Sequence, residues 1–243
     1  EGFEKAKLIM IHDGAYASWI KDRGYRDLFV RRLPVTVAVI PDHLGNSGYM
    51  SESELLALAK ENDNEISIHS WSAEDLDEMD DEELYEESLR CIDWLRERSL
   101  EGRIWRAAWY RNNAPAAASP TASVRQLFQA YAMPGGGLSQ IERVEPFPPA
   151  DRWNIKRIML HGRTEAGFDA LFDVLKKTRG IAVTYTHTVR DGSANQIPEA
   201  RWDYFLRKID EAVAEGWLEG TTFSKLLRDN WEYWRRVANL PYE

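Results

Sequence analysis

The chain has 243 residues, which suits one α/β barrel-like domain or two small ones, and its 44% hydrophobic and 29% charged residues support a packed core over disorder. A formal charge of -9 argues against non-specific nucleic-acid binding, which needs a basic face. A single cysteine, Cys91, excludes a disulfide framework and a Cys-based zinc site, and no apolar run is long enough to cross a membrane. The chain opens on Glu1 without a signal peptide and reads as a single domain, residues 1–243, excised from a longer protein.

Leu8-Ile9-Met10-Ile11 stops abruptly at His12-Asp13-Gly14-Ala15-Tyr16, as a buried strand does when it delivers side chains to one rim of a sheet or barrel. Residues 19–30 read as a helix. Residues 33–41 are nearly all apolar and predict a strand buried on both faces. Ser51 and Glu54 form a capping box ahead of Leu55, Leu56, Leu58 and Ala59. A third strand, Glu65-Ile66-Ser67-Ile68, ends on His69. The clearest helix spans 80–98, with Leu84, Leu89, Ile92 and Leu95 near helical spacing. A strand over 103–110, a polar loop over 111–120 and a helix over 121–131 follow. Met133-Pro134-Gly135-Gly136-Gly137 marks a loop, irregular as far as Ala150. Then come a strand (155–160), a helix (168–177), a strand over 181–187 ending on His187, and a helix (198–214). A strand-like turn at 217–222 and a last helix over 223–236, carrying Trp231 and Trp234, complete the chain. Strands alternating with helices imply a parallel sheet or barrel.

In α/β folds reactive groups gather at the carboxyl ends of the strands, so Asp13, His69 and His187 make a candidate site. The plainer reading of an isolated Asp13 is a turn cap. Trp71, Trp109, Tyr110 and Tyr185 lie near the same rim and would stack on sugar rings as substrate-binding platforms, with core packing as the alternative for each. His43 and His161 read as loop or surface residues.

This order of motifs resembles the polysaccharide deacetylase family, also called the NodB-homology or carbohydrate esterase 4 family, over nearly the whole chain. The family's first motif is Phe-Asp-Asp-Gly-Tyr at a strand end, and its second is His-Ser/Thr-x-x-His. The corresponding stretches here are His12-Asp13-Gly14-Ala15-Tyr16 and His69-Ser70-Trp71-Ser72-Ala73. The resemblance implies an α/β fold, an irregular, partly open (β/α) barrel, and removal of N- or O-acetyl groups from chitin, peptidoglycan and related glycans. Aligned without a gap, Asp13 falls on the catalytic base and Gly14 on the metal-ligand Asp. His69 keeps the first ligand His, and Ala73 replaces the second. Another register puts His12 on the base and Asp13 on the metal. Arg111 matches the family Arg that pairs with the base, and His187 the general acid.

In the ungapped register two of three metal ligands are missing together, and a lone imidazole does not hold zinc, which takes about three protein ligands in a catalytic site. Glu74 and Asp75 are nearby carboxylates but not at the family's spacing. The resemblance therefore implies a deacetylase-like domain without a cofactor. It would bind glycan or bacterial cell-wall polymer, and neither nucleic acid nor membrane, in an extracellular, cell-surface or virion (phage-tail) setting. The alternative is an active hydrolase of an amide or ester, with Asp13 as base and His187 as acid. Zinc or another divalent metal would sit in a rearranged site, or the enzyme would work without metal but lack an electrophile. A third option is an oligomerising scaffold with an empty groove.

Overall fold

The computed structural model describes residues 4–72, 79–100, 107–109, 127, 130–134, 143–146, 149, 151, 153, 155–190, 195–230 and 232. Seven strands follow one another around a parallel sheet: β1 (Ala6–Asp13), β2 (Val35–Val39), β3 (Glu65–Ile68), β4 (Ala107–Trp109), β5 (Ala130–Pro134), β6 (Ile155–Met159) and β7 (Ile181–Thr186). β7 returns to pair with β1, matching Lys7 to Ile181 and His12 to Thr186. Thr188–Arg190 (β8) and Gln196–Pro198 (β9) form a separate parallel pair. β10 (Leu218–Thr221), expected as a strand-like turn, is a strand that pairs with Ala6 to Ile9 of β1. The same edge of β1 pairs with β2 from Met10 to Asp13. The seam is thus shared by two strands, and β3 meets β4 only at Ile68↔Ala108. The result is the irregular, partly open (β/α) barrel expected.

Strand side chains alternate between two apolar environments. Leu8, Met10, Val35, Val37, Val39, Ile66, Ile68, Ile158 and Ala182 belong to the large cluster beneath the helices. Ile9, Ile11, Ala38, Ile155, Ile181 and Val183 belong to a second cluster lining the barrel interior, with Tyr185 packed against it. Helix α7 (Phe223–Asp229) contributes Phe223, Leu226 and Leu227 to this inner cluster and closes the barrel at the strands' amino ends. Its first turn is held by the buried Glu65 carboxylate. That group accepts from the Phe223 amide at 2.9 Å, the Ser224 amide at 3.2 Å and the Thr36 hydroxyl at 2.8 Å, and also from the Ser224 hydroxyl. These bonds satisfy helix-terminal amides that would otherwise be orphaned.

The outer layer is helical. The helix expected over 19–30 is two: α1 (Ala17–Lys21) and α2 (Arg23–Val30), separated by Asp22 with extended backbone (φ -84°, ψ -167°). The break folds α2 back onto Trp19. A Cβ on Gly24 would stand 2.3 Å from the indole nitrogen, so only glycine permits this approach. α3 (Glu52–Leu58) carries the predicted capping box, and α4 (Asp81–Glu97) a second one between Asp80 and Glu83. α5 (Glu165–Thr178) starts at Thr164, whose hydroxyl accepts from the Gly167 amide at 3.1 Å, and α6 (Glu199–Ala214) turns Trp202, Phe205 and Ile209 inward. Residues 130–134, expected as a helix end and a loop, form β5, because pairing with β4 and β6 on its two edges outweighs the local pattern. Trp231 and Trp234 lie outside the described residues. Among the described residues no helix is long and apolar enough to cross a membrane.

Candidate active site

Three strand ends converge at the carboxyl rim of the barrel. Odd-numbered residues of β1 face inward, so Asp13 follows Ile9 and Ile11 into the interior and is 5% exposed. His69, one residue beyond β3, brings its Nε2 to 3.1 Å from Asp13 Oδ1. His187, one residue beyond β7, places its Nε2 3.8 Å from Asp13 Oδ2. The fourth member comes from mid-strand: Arg157 of β6 donates to Asp13 Oδ2 at 3.3 Å, with both residues buried. Burial alone would push the Asp13 carboxyl up. The charges of His69 and Arg157 beside it outweigh that, and hold the group well below the usual carboxylate range. The His69 contact is not aligned as a hydrogen bond, and Asp13 Oδ1 has no aligned donor. Burial lowers the His187 pKa, with Asp13 opposing.

His12 does not share this site. It points the other way, under the helices, stacked on Trp19 with ring centroids 4.2 Å apart and planes 6° from parallel. Its Nε2 donates to the Tyr16 carbonyl at 3.3 Å, and burial pulls its pKa down to about 3. A neutral imidazole facing the helices is not placed to act as the base, so the register with His12 in that role does not match the geometry.

The turn after β1 explains the residue at position 14. Gly14 has φ +89°, and a Cβ there would lie 2.8 Å from the Tyr16 ring. The backbone itself therefore disfavours any side chain where the family carries a metal-ligand Asp. Among the described residues no three His, Cys, Asp or Glu side chains group to hold a metal ion. Ala73, Glu74 and Asp75 lie outside the described residues, as do Arg111 and Tyr110; of Trp109 only the backbone, in β4, is described.

Two of the aromatic candidates are already occupied. Trp71 packs against the helix-side core with the Arg90 guanidinium 4.5 Å over its ring, and the Arg157 guanidinium covers the Tyr185 ring at 4.8 Å. A different aromatic wall lines an open groove beside His187. Tyr16 and Tyr49 stack at 4.9 Å, and Tyr16 lies 5.8 Å from His187. The groove has a volume of about 610 Å³ and includes Lys21, Arg190 and Gln196.

Three functional candidates escaped the sequence reading. Arg157 was legible only as one of two charged residues, with Lys156, in a short strand. His161, expected as a loop or surface residue, lies in the turn after β6 but is half-buried with its ring 5.4 Å from His187, and burial with His187 beside it pulls its pKa down to about 4. Glu87 of α4 accepts from the backbone amides of Trp71 at 2.8 Å and Ser72 at 3.1 Å, fixing the segment after His69.

No family model matches the sequence, and no curated protein matches it. Solved structures do. Puue allantoinase superposes with a TM-score of 0.63 at 13% identity, over 98% of this chain and 92% of that one. A family 4 acetyl xylan esterase from Clostridium thermocellum, in complex with a cobalt ion, gives 0.55 at 13% identity, over 91% and 90%. A mutant of a CE4 family pseudoenzyme with restored enzymatic activity gives 0.50 at 13% identity, over 92% and 68%. The long overlap with these barrels, together with the strand-end placement of Asp13, His69 and His187, shows that this chain has the NodB-homology fold of the family 4 carbohydrate esterases.

Proposed function

We propose that this chain hydrolyses an amide or ester of the deacetylase kind, on a glycan, with Asp13 as general base and His187 as general acid and without a bound metal. The observation that carries the reading is the setting of Asp13: a buried carboxylate kept ionised beside Arg157, with His69 Nε2 3.1 Å from Oδ1 and His187 Nε2 3.8 Å from Oδ2. An ionised carboxylate at the strand-end rim, flanked by two imidazoles, is placed to take a proton from water. The water oxygen attacks the acyl carbon as its proton passes to Asp13 Oδ1. Collapse of the tetrahedral intermediate breaks the C–N or C–O bond, and the proton taken up by the Asp13 carboxylate passes through His187, whose Nε2 stands 3.8 Å from Oδ2, to the leaving group.

The sequence alone favours a binding domain because the electrophile is missing. Arg157 alters that balance. The guanidinium that keeps Asp13 charged lowers its basicity, but it also supplies the positive field that a tetrahedral oxyanion needs in a water-poor site. Among the described residues the donor set does not favour a catalytic zinc, since Gly14 sits in a left-handed backbone that disfavours a ligand side chain and Arg157 already holds Asp13 Oδ2. The aromatic groove beside His187 is where a sugar ring would rest.

Acetate release from N-acetylglucosamine oligomers and acetylated xylan tests the reading, with protein stripped by chelator. The native chain is expected to release acetate, and D13N to lose about 100-fold or more of the rate. Release only after zinc is restored would overturn the metal-free mechanism. Glycan binding without release would establish instead the binding domain.

A further inference from the structure

We propose that the groove beside His187 seats the departing half of the substrate, and that Thr188 and Gln196 select a polyhydroxylated leaving group there by accepting its hydroxyl hydrogens. The inference rests on the hydrolase reading for which fragment departs, but the binding it predicts needs no turnover.

The groove has two walls of different chemistry. One is the stacked Tyr16–Tyr49 pair. Backbone bonds hold the two segments together: the Ala17 amide donates to the Gly48 carbonyl at 2.9 Å, and the Met50 amide to the Ala15 carbonyl at 2.9 Å. The other wall is the β8–β9 ribbon. Side chains alternate along it, so Val189 and Ile197 enter the large core cluster while Thr188, Arg190 and Gln196 line the groove. Thr188 and Gln196 are register partners across the ribbon. Arg190 donates to Asp22 Oδ2 at 2.8 Å and ties the ribbon to the break between α1 and α2.

Three polar atoms of the lining are buried and without a hydrogen-bond partner among the described residues: Thr188 Oγ1, Gln196 Oε1 and His187 Nδ1. Thr188 is only 9% exposed. Two facing side chains of one ribbon, each with an idle oxygen, are not a packing solution, because valine and leucine would fill the same space without the loss of hydration. A carboxamide oxygen only accepts, and a hydroxyl oxygen has lone pairs to offer. The ligand that satisfies them brings donors. A polyol does so while its ring lies against the aromatic wall. The terminal torsion of Gln196 is soft, so its oxygen turns to a ligand without backbone movement. The volume of about 610 Å³ is that of a small-molecule site.

The orientation of the substrate follows from what the groove touches. Of Asp13, His69, Arg157 and His187, only His187 lines it. His187 passes the proton to the departing atom, so the fragment beside it is the leaving group. The acyl group then lies on the Asp13–Arg157 side.

The experiment separates the two halves of a substrate. Xylotriose carries the hydroxyls without an acyl group, and acetamide the acyl group without hydroxyls. Calorimetry and ligand-observed NMR are expected to show xylotriose binding to the native chain, weakened about ten-fold or more in T188V and in Q196L. The response to acetamide is expected to be the same in all three proteins. Each substitution removes an idle polar atom at nearly constant volume, so thermal denaturation is expected to find the free variants no less stable than the native chain. A purely structural role would lower their melting temperatures instead. Q196L, at a half-buried position, carries the test should T188V not fold. Absence of xylotriose binding to the native chain, undiminished binding in the variants, or lowered melting temperatures in both overturns the proposal. Acetate release is not measured, so a chain that binds xylotriose through these residues but hydrolyses nothing would refute the hydrolase reading and leave the recognition standing.

Discussion

The buried imidazole of His12 makes this fold sensitive to acid, and the size of the effect follows from its surroundings. His12 is fully buried, stacked on Trp19, and burial pulls its pKa from 6.5 down to about 3. A folded pKa below the unfolded one means that the unfolded chain takes up the proton first. The stabilisation is complete above about pH 6.5 and is lost as the pH falls toward 3. Between pH 7 and pH 5 this single group should remove roughly 2 kcal/mol of stability, because the slope approaches about 1.4 kcal/mol per pH unit once the unfolded imidazole titrates. The assay is urea denaturation of the native chain and H12F at both pH values. Phenylalanine keeps a ring against Trp19 and removes the titration; Nδ1 has no partner to lose. H12F is expected to be flatter with pH than the native chain by roughly that amount, whatever its absolute stability. Parallel losses in the two proteins would refute the reasoning, and would shift the acid sensitivity to the other buried groups.

Glu65→Ala should cost about 3 kcal/mol or more in chemical denaturation, since it strips the first turn of α7 and leaves the Thr36 hydroxyl and two amides without an acceptor; a loss under about 1 kcal/mol would show that water replaces the carboxylate. Gly14→Asp is expected to lower stability by about 1–3 kcal/mol, through the left-handed backbone and the crowding on Tyr16, and to gain no retained zinc by elemental analysis. Near-stoichiometric zinc in that variant would show that the turn accommodates a ligand after all. Glu87→Ala should speed hydrogen exchange at the Trp71 and Ser72 amides relative to those of α4, and unchanged exchange would mean the segment is held by other contacts.

Much of the architecture was open to reading because strands buried on both faces and helices with one apolar face have different periods. The run from Leu8 to Asp13 and the endings on His69 and His187 were enough to bring three polar groups to one rim, once a parallel barrel was assumed. Arg157 could not be assigned in the same way. Whether a residue in the middle of β6 faces the helices or the interior depends on its register with β7, where Arg157 pairs with Val183, and that is a long-range fact. His161 lies in a turn, as expected, but its closeness to His187 was hidden for a similar reason: a residue after a strand is at the surface or beside the site according to which neighbouring loop covers it. The α1–α2 break and β5 were hidden because contacts distant in sequence override local propensity. Gly24 against Trp19 and the two partners of β5 are such contacts.

The divided edge of β1 bears on how the molecule is made. Lys7 and Glu219, 212 positions apart, are joined side chain to side chain, and the first half of β1 has β10 as its neighbour on that edge. During vectorial synthesis β1 therefore leaves the ribosome some two hundred residues before the strand that completes its edge. Until Phe223, Leu226 and Leu227 arrive, Ile9 and Ile11 lack the helix that seals them, and an unpaired backbone edge stays open. Such high-contact-order closure is slow. It makes the nascent chain a natural client for chaperones, and it makes a stalled or shortened product the species most prone to aggregate.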